Sequence, residues 1–396
     1  MDFTAVIDNA KRFAGRKKGG DDDSYDDRLV DRLHNRYTVA ALVCFCLAIS
    51  TYQYAGDPLQ CWVPAQFTGN YEAYTNRLCY LQNTYHVAKH QSIPQDYNLR
   101  RERTLKYYQW INFVLLLQAL FFSLPRIIWQ SFNDKFGLSL RNLVDAANKY
   151  ESLDVDKERG AVVQYIADSL QRYEEYVNPH KHDKSSLFQR INRQCRLFCQ
   201  GRTGVSLVYF YFFIKFLYII NLIFQIVFLQ YFLSYHDVYY LQYGLNVLGT
   251  LISGFSLPES KLFPRITLCD FQIRELGERH HYTVECILII NIFIEKMYFI
   301  LWIWFWILLL ITIMDTIRFI YRIFFRHSRN VFVVQHLELI VKNHKAREIQ
   351  FRHFLRYFPI DNLFALWIIG ANSNTIIVAE ILDDLFYRKL HDGSGV

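Results

Sequence analysis

Four long apolar segments, separated by stretches rich in charged residues, organise this chain. They cover residues 37–54, 107–129, 205–235 and 287–314. A helix crosses the roughly 30 Å hydrocarbon layer of a bilayer in about 20 residues, so each segment is long enough to span a membrane. Each is apolar on every side, as expected for a helix whose backbone hydrogen bonds must all be made within lipid. The pattern therefore predicts four transmembrane helices.

Two residues within these segments need an explanation of their own. Lys215 lies in the third segment, and we expect its long side chain to reach a nearby headgroup layer. Pro125 removes one backbone hydrogen bond near the end of the second segment. It predicts a kink or an end of the helix at that point.

The aromatic content supports a membrane protein. Hydrophobic residues make up 52% of the 396 residues and aromatic residues 17%, which a soluble domain of this size seldom needs. Tyr107, Tyr108 and Trp110 stand at the start of the second segment and Trp129 at its end, where we expect them to form interfacial belts. A buried aromatic cluster in a soluble protein is the alternative, and four spans argue against it.

Arginine clusters predict the orientation of the spans. An even number of spans places both termini on one side, and residues 1–36 lack the apolar core of a signal peptide, so we expect an uncleaved, cytoplasmic N-terminus. Three clusters then face the cytoplasm, as the positive-inside rule requires. They are Arg28, Arg32 and Arg36; Arg190, Arg193, Arg196 and Arg202; and Arg318, Arg322, Arg326 and Arg329. A fourth basic cluster, residues 100–106, disagrees with this orientation.

The orientation assigns the segments between the spans. The predicted cytoplasmic parts are residues 1–36, 130–204 and 315–396, and the predicted extracellular loops are residues 55–106 and 236–286. Apolar residues at helical spacing predict cytoplasmic helices over 143–154, 157–177 and 351–369.

The eight cysteines divide according to this topology. Cys61 and Cys79 lie in the first predicted extracellular loop, and Cys269 and Cys286 lie in the second. Four cysteines in an oxidising compartment can all pair, and three connectivities are possible. Bridges between the loops would clamp them into one body, whereas bridges within each loop would leave two lobes.

A zinc site is the alternative use of the cytoplasmic cysteines. Cys195 and Cys199, with His180 and His182 upstream, offer the right ligand types. The gap between the two pairs is wider than structural zinc sites prefer. We therefore interpret Cys195 and Cys199 as reduced thiols on a basic helix and predict no bound metal.

Several motifs occur in order between the predicted spans. The first loop contains GDP-x2-CW-x-PAQF (Gly56 to Phe67), and the second span opens with YYQW, formed by Tyr107, Tyr108, Gln109 and Trp110. Further motifs are FPRITLCDF (Phe263 to Phe271), NIFIEKMYFILWIWFW (Asn291 to Trp306) and GANSNTIIVAEILDDLF (Gly370 to Phe386). Together they resemble the innexins, the invertebrate gap-junction proteins, over nearly the whole chain.

The resemblance implies an all-α membrane fold with four transmembrane helices per subunit, disulfide-linked extracellular loops and helical cytoplasmic regions. Eight like subunits would form a ring around a central pore and dock end to end with an opposed ring. By the family's pattern Cys61 would pair with Cys286 and Cys79 with Cys269, and residues 1–36 would form a funnel in the pore mouth. The implied partners are further copies of the chain, other innexins in hetero-oligomers, and membrane lipids.

Polar residues within the spans are candidates for faces toward the pore or a neighbouring helix. They are Thr38, Ser50, Asn221, Gln225, Glu295 and Lys296. Asn221 and Gln225 are four residues apart and share a helix face, where we favour packing with interhelical hydrogen bonds over contact with ions. Glu295 and Lys296 diverge by about 100° on a helix, so we interpret them as structural residues with other partners rather than as a selectivity filter.

Other functions fit the sequence less well. It has no Gly-rich phosphate loop and no suitable Ser/His/Asp order, so we expect no enzyme, catalytic residue or cofactor, and no nucleic-acid partner. A non-conducting adhesion protein of the claudin or tetraspanin kind would be expected to have unequal loops. An undocked hemichannel remains an alternative, although the absence of any Asn-x-Ser/Thr sequon favours docking.

Overall fold

The computed structural model describes residues 28–87, 91–151, 153, 155–177, 204–234, 239–254, 260, 262–275, 277–339, 354 and 358–393. The helices of these residues are α1 (Leu29–Ala55), α2 (Gly69–Gln82), α3 (Tyr97–Glu102), α4 (Tyr107–Phe132), α5 (Leu140–Glu151), α6 (Asp156–Val177), α7 (Ser206–Leu233), α8 (Tyr240–Ile252), α9 (Ile290–Phe324), α10 (Arg326–Glu338), α11 (Ile360–Asn372) and α12 (Thr375–Gly393). The strands are β1 (Gln60–Trp62), β2 (Ile266–Glu275) and β3 (Glu278–Ile287).

Four of these helices, α1, α4, α7 and α9, are long and apolar enough to cross a membrane. Each overlaps one of the four predicted spans, and the predicted all-α membrane class is confirmed. The bounds differ most at two ends. Helix α1 begins at Leu29 rather than at residue 37, and α9 ends at Phe324 rather than at residue 314. Asp31 near the start of α1 and Asp315 beyond the fourth apolar segment both pair with Lys215 inside the protein, which favours extension of the two helices past the apolar segments.

Two of the spanning helices contain irregular features. Helix α1 has a π-helical segment from Leu33 to Thr38. Helix α4 does not end at Pro125 but continues to Phe132. Pro125 is buried, and spanning helices tolerate a proline where neighbouring groups compensate for the missing hydrogen bond.

The chain divides into two compact units. The disulfide-bonded unit comprises residues 36–122 and 220–310. The helical unit comprises residues 123–219 and 311–393 together with the described residues that precede Arg36.

The disulfide-bonded unit contains an antiparallel sheet with the strand order β1-β3-β2. Strands β2 and β3 form a hairpin in which Ile266 lies opposite Ile287 and Glu275 opposite Glu278. Gly277 closes the turn with a φ of +91°, a backbone conformation that glycine adopts without steric cost. Strand β1 pairs with the other edge of β3. The sheet was not among the elements predicted from the sequence.

The helical unit has its own apolar core. Helices α5, α6, α10, α11 and α12 contribute to it, as does the first part of α7. Helix α11 is buried from Asp361 to Ile369, so other helices of the unit surround it. Helical segments were predicted over 143–154, 157–177 and 351–369. The first two correspond to α5 and α6, and residues 360–369 of the third belong to α11. Residues 351–353 and 355–357 of the third prediction lie outside the described residues.

Candidate functional site

Two disulfides tie the segment before α4 to the β2–β3 hairpin. Cys61 of β1 bonds to Cys286 of β3, and Cys79 of α2 bonds to Cys269 of β2. These are the pairs that the resemblance implied. All four cysteines are buried, and Cys61 lies directly opposite Cys286 in the strand register. The paired residues are 225 and 190 positions apart, so each bridge strongly restricts the unfolded chain.

The two disulfides and the segments that they join form a disulfide clamp, and Asp270 of β2 accepts hydrogen bonds within it. Its carboxylate accepts hydrogen bonds from the Tyr85 hydroxyl at 3.0 Å, from Arg100 at 2.8 Å and from the Thr283 hydroxyl at 2.7 Å. Burial, together with the adjacent Asp270 charge, raises the pKa of Tyr85, which therefore stays protonated and able to donate. Tyr85 also exchanges two backbone hydrogen bonds with Leu268. The sheet and the segment that leads into α4 thus form one body.

The YYQW motif attaches α4 to the end of α2. The Tyr108 hydroxyl donates to the Tyr80 carbonyl at 3.3 Å, and the Gln109 side-chain amide donates to the same carbonyl at 2.7 Å. Tyr107 and Tyr108 are buried, so they do not lie in the interfacial belt predicted for them. Trp110 is the exposed ring of the motif, with 60% of its surface accessible.

Trp129, predicted at the other membrane interface, is also buried. It stacks on Phe210 at 5.5 Å between ring centroids and meets the edge of Tyr211 at 5.2 Å. The position of Trp129 near the end of a span predicted contact with lipid headgroups. In the structure, aromatic rings of the same chain pack around it instead. Trp129 therefore belongs to the packing of the helical unit.

Two polar residues of α1 contact other helices of their own unit. Trp304 of α9 donates through Nε1 to the Thr38 hydroxyl at 2.9 Å, and Thr38 is buried. The Gln53 amide donates to the Tyr108 carbonyl at 2.8 Å. Ser50 is half-buried, one helical turn from Cys46. Thr38 and Gln53 thus take part in packing between helices.

The polar residues predicted to mark functional faces of α7 and α9 differ in burial and in their partners. Gln225 is buried and donates to Asn221 at 3.5 Å along the same helix. Glu295 accepts from Arg265 at 3.1 Å, whereas Lys296 is exposed. The structure does not bring these residues together at one point.

A buried ionic cluster in the helical unit was not predicted. Lys215 lies 2.6 Å from Asp31 and 2.7 Å from Asp315, and all three side chains are buried. The Tyr211 hydroxyl donates to Asp31 at 2.6 Å, and Arg28 pairs with Asp315. Lys215 therefore does not reach toward headgroups as predicted. Two carboxylates compensate its charge inside the protein, which is the condition under which a buried ion is tolerated.

A histidine extends this cluster into the π-helical segment of α1. His34 is buried, and its Nε2 lies 2.7 Å from the Thr312 hydroxyl of α9. Its ring packs against Tyr218 of α7 at 4.7 Å. Ion pairs, a hydrogen bond and a ring contact thus connect the first part of α1 with α7 and α9.

With this geometry established, comparison with known proteins decides the family. The sequence model of the innexin family matches residues 27–389. The chain belongs to the innexin family. It is 35% identical over 379 residues to Innexin unc-9 of Caenorhabditis elegans, an alignment that covers 93% of this chain and 95% of that protein. It is 35% identical to Innexin-19 of the same organism (93% and 80% covered) and 33% identical to Innexin eat-5 (92% and 88% covered).

Family membership gives this innexin its general function. It is a multi-pass membrane protein and a subunit of a gap-junction channel. Other predictions for this innexin also lie outside the described residues. They are residues 1–27 of the predicted pore funnel and the four candidate zinc ligands His180, His182, Cys195 and Cys199.

The positions of two charged residues in the sequence of this innexin indicated that buried ion pairs were needed. Asp315 follows the fourth apolar segment directly, and Lys215 lies inside the third. A charge in or beside a spanning segment demands a partner of opposite sign. The identity of that partner was not readable, because Asp31 is 184 residues from Lys215.

Proposed function

We propose that this innexin assembles as an octameric ring around a central pore and docks to an opposed ring, so that ions and small molecules pass between adjacent cells. The pair of disulfides carries this proposal. Docking end to end needs a surface that keeps its shape, and both bridges join the segment before α4 to the β2–β3 hairpin. Asp270 and its three donors hold the same two segments together.

We place the sheet outside the cell and both termini in the cytoplasm. Disulfides persist in oxidising compartments, which supports the position of the sheet. Three arginine clusters support the cytoplasmic position of the termini. The basic cluster at residues 100–106 disagrees with this orientation. Two of its arginines have partners within the protein, because Arg100 pairs with Asp270 and Arg103 donates a hydrogen bond to Gln91.

Labelling from outside intact cells tests this orientation. In a Cys44→Ser background, a cysteine replaces the exposed Glu72 of α2 in one variant and the exposed Lys157 of α6 in another. A membrane-impermeant maleimide should label Glu72→Cys and leave Lys157→Cys unlabelled until the cells are permeabilised. Labelling of Lys157→Cys in intact cells would reverse the assignment.

The candidate residues in the spans divide into two roles. We assign Thr38, Asn221, Gln225 and Glu295 to packing, since each is buried or half-buried with a partner in its own unit. The exposed Lys296 and the half-buried Ser50 are the candidates for contact with a neighbouring subunit or the pore.

Other innexins and membrane lipids are the further partners that we propose. We assign the chain no catalytic role and no cofactor. The subunit number is tested by native mass spectrometry of the purified assembly. Eight copies of the 47.4 kDa chain support the octamer, and any other predominant number contradicts it.

A further inference from the structure

A cavity of about 370 Å³ lies in the helical unit, where the end of α9 meets α10, α11 and the start of α12. Its polar lining consists of Arg28, Arg322, Ser328, Gln335, His336 and Thr375. Apolar side chains, among them Val331, Phe332 and Leu363, form the rest of the wall. The polar lining contains two arginines and no acidic residue, so it favours an anion.

Trp367 positions the two arginines of this cavity. The guanidinium carbon of Arg28 lies 4.2 Å from the Trp367 ring centroid, and that of Arg322 lies 5.6 Å from it. Trp367 is buried in α11, so this platform is fixed by the core. Cation–π contact stabilises each arginine on the indole, but two cations near one ring also repel each other.

The two arginines differ in how their charge is compensated. Arg28 has a carboxylate partner in Asp315. Arg322 has neither an ion pair nor a hydrogen bond among the residues that the structure describes. Arg322 therefore presents a positive charge at the wall of the cavity that no direct ion pair among the described residues neutralises.

We infer that this cavity binds a phosphate monoester. The planar guanidinium group matches phosphate oxygens in a two-point geometry, and the charge of Arg322, which pairs with no carboxylate among the described residues, suits an anionic group. The hydroxyls of Ser328 and Thr375 can donate to further oxygens. The Nδ1 of His336 is occupied by the Phe332 carbonyl at 2.7 Å, which leaves Nε2 for the ligand.

The position of the cavity suits either a lipid phosphate or a soluble one. Helix α9 has 35 residues and is about 52 Å long at 1.5 Å per residue, well beyond the roughly 30 Å of hydrocarbon. Arg322 lies in its last turn, so we place it beyond the hydrocarbon, where both lipid headgroups and soluble anions are accessible. The apolar wall can accept part of an acyl chain, while the polar wall accepts the phosphate in both cases.

Two binding measurements on the full-length purified assembly test this inference. Native mass spectrometry records phosphatidic acid retained from phosphatidylcholine nanodiscs that contain it, and a thermal-shift titration with inorganic phosphate at constant ionic strength records the soluble ligand. Both use wild type, Arg322→Gln and Arg322→Lys, with Arg318→Gln as the matched control. Arg318 is exposed on the same helix and does not line the cavity.

Loss of one charge-assisted contact should weaken binding about tenfold in Arg322→Gln, less in Arg322→Lys and least in Arg318→Gln, which keeps every contact in the cavity. This pattern with phosphatidic acid alone identifies a lipid ligand, and the same pattern with inorganic phosphate identifies a soluble one. Size-exclusion profiles that match wild type show that the variants assemble. Equal behaviour of Arg322→Gln and Arg318→Gln in both measurements, or no binding by wild type, overturns the inference.

Discussion

Lys215 of α7 and Asp31 of α1 form an ion pair at 2.6 Å in which the lysine is fully buried and Asp31 is 3% exposed. Asp315 of α9 approaches the same ammonium group at 2.7 Å. Three spanning helices that are distant in sequence are thus joined by charges that have little access to water. Removal of one partner from such a cluster leaves the others buried without compensation.

The change Lys215→Met tests the contribution of this cluster. The change removes the ammonium group that pairs with both Asp31 and Asp315, so the Asp31 carboxylate stays buried without its ion pair. We expect the free energy of unfolding to fall by about 3–5 kcal/mol. Lys157→Met is the matched control, because Lys157 is an exposed lysine of the same unit, and its loss should change stability by less than about 0.5 kcal/mol. The melting temperature of the detergent-solubilised protein, followed by fluorescence size-exclusion chromatography, provides the measurement. Equal melting temperatures for the two variants would argue against the cluster.

Helix α8 offers a test of packing within the disulfide-bonded unit. A Cβ atom on Gly244 would lie 2.2 Å from the Trp302 ring, so Gly244→Ala must displace that ring and should cost about 1–3 kcal/mol. Gly249→Ala in the same helix meets no atom within 4 Å and should stabilise the helix by about 0.5–1 kcal/mol. Thermal melts of both variants should therefore shift in opposite directions. A Gly244→Ala protein as stable as Gly249→Ala would contradict this packing.

The disulfide clamp predicts a selective loss of coupling. Cys61→Ser or Cys269→Ser leaves one unpaired cysteine and loosens the body that carries the sheet, so junctional conductance between paired cells should fall to that of pairs without the protein. Cys44→Ser removes an exposed free cysteine of α1 and should couple as wild type does. Surface biotinylation separates loss of docking from loss of expression. Undiminished coupling in either disulfide variant would rule out a role for the clamp in docking.

Asp361 of α11 predicts a pH dependence of stability. Burial raises its pKa, although the Tyr173 hydroxyl and the amides of Leu207 and Val208 donate to the carboxylate. Since the folded-state pKa exceeds the unfolded value of 3.8, the folded state binds more protons over this interval. The contribution of Asp361 to stability is full below pH 3.8 and is lost as the pH rises through its folded-state pKa.

Comparison with Asp361→Asn isolates that contribution, because the other acidic groups titrate alike in both proteins. The melting temperature of wild type minus that of the variant should fall as the pH is raised from about 4 toward neutrality. A difference that stays constant, or rises, over this range would show that burial of Asp361 does not control its titration.

The spans could be predicted from sequence because apolar length alone defines them, whereas the surroundings of individual side chains could not. Tyr108 and Trp129 have the residue type and position of interfacial rings, yet both are buried against other parts of the chain. A run of apolar residues does not distinguish lipid from protein as its neighbour. The partners of Lys215 were equally hidden, since they are 184 and 100 residues away.

The β2–β3 hairpin was missed for a different reason. In β2 the buried positions include Thr267 and Cys269, while the partly exposed positions that alternate with them include Ile266 and Leu268. The alternation of burial is therefore not an alternation of hydrophobicity, which is the usual sign of a half-buried strand. The disulfide pairs became predictable only through resemblance to a family, because cysteine spacing alone allows three connectivities.

Junctional current between two paired cells that express only this chain tests the central claim most directly. Dual voltage clamp should record conductance above that of pairs without the protein, because a homomeric ring that docks to its counterpart connects the two cytoplasms. With surface expression confirmed in both cells, the absence of junctional current would contradict a channel that this innexin forms by itself.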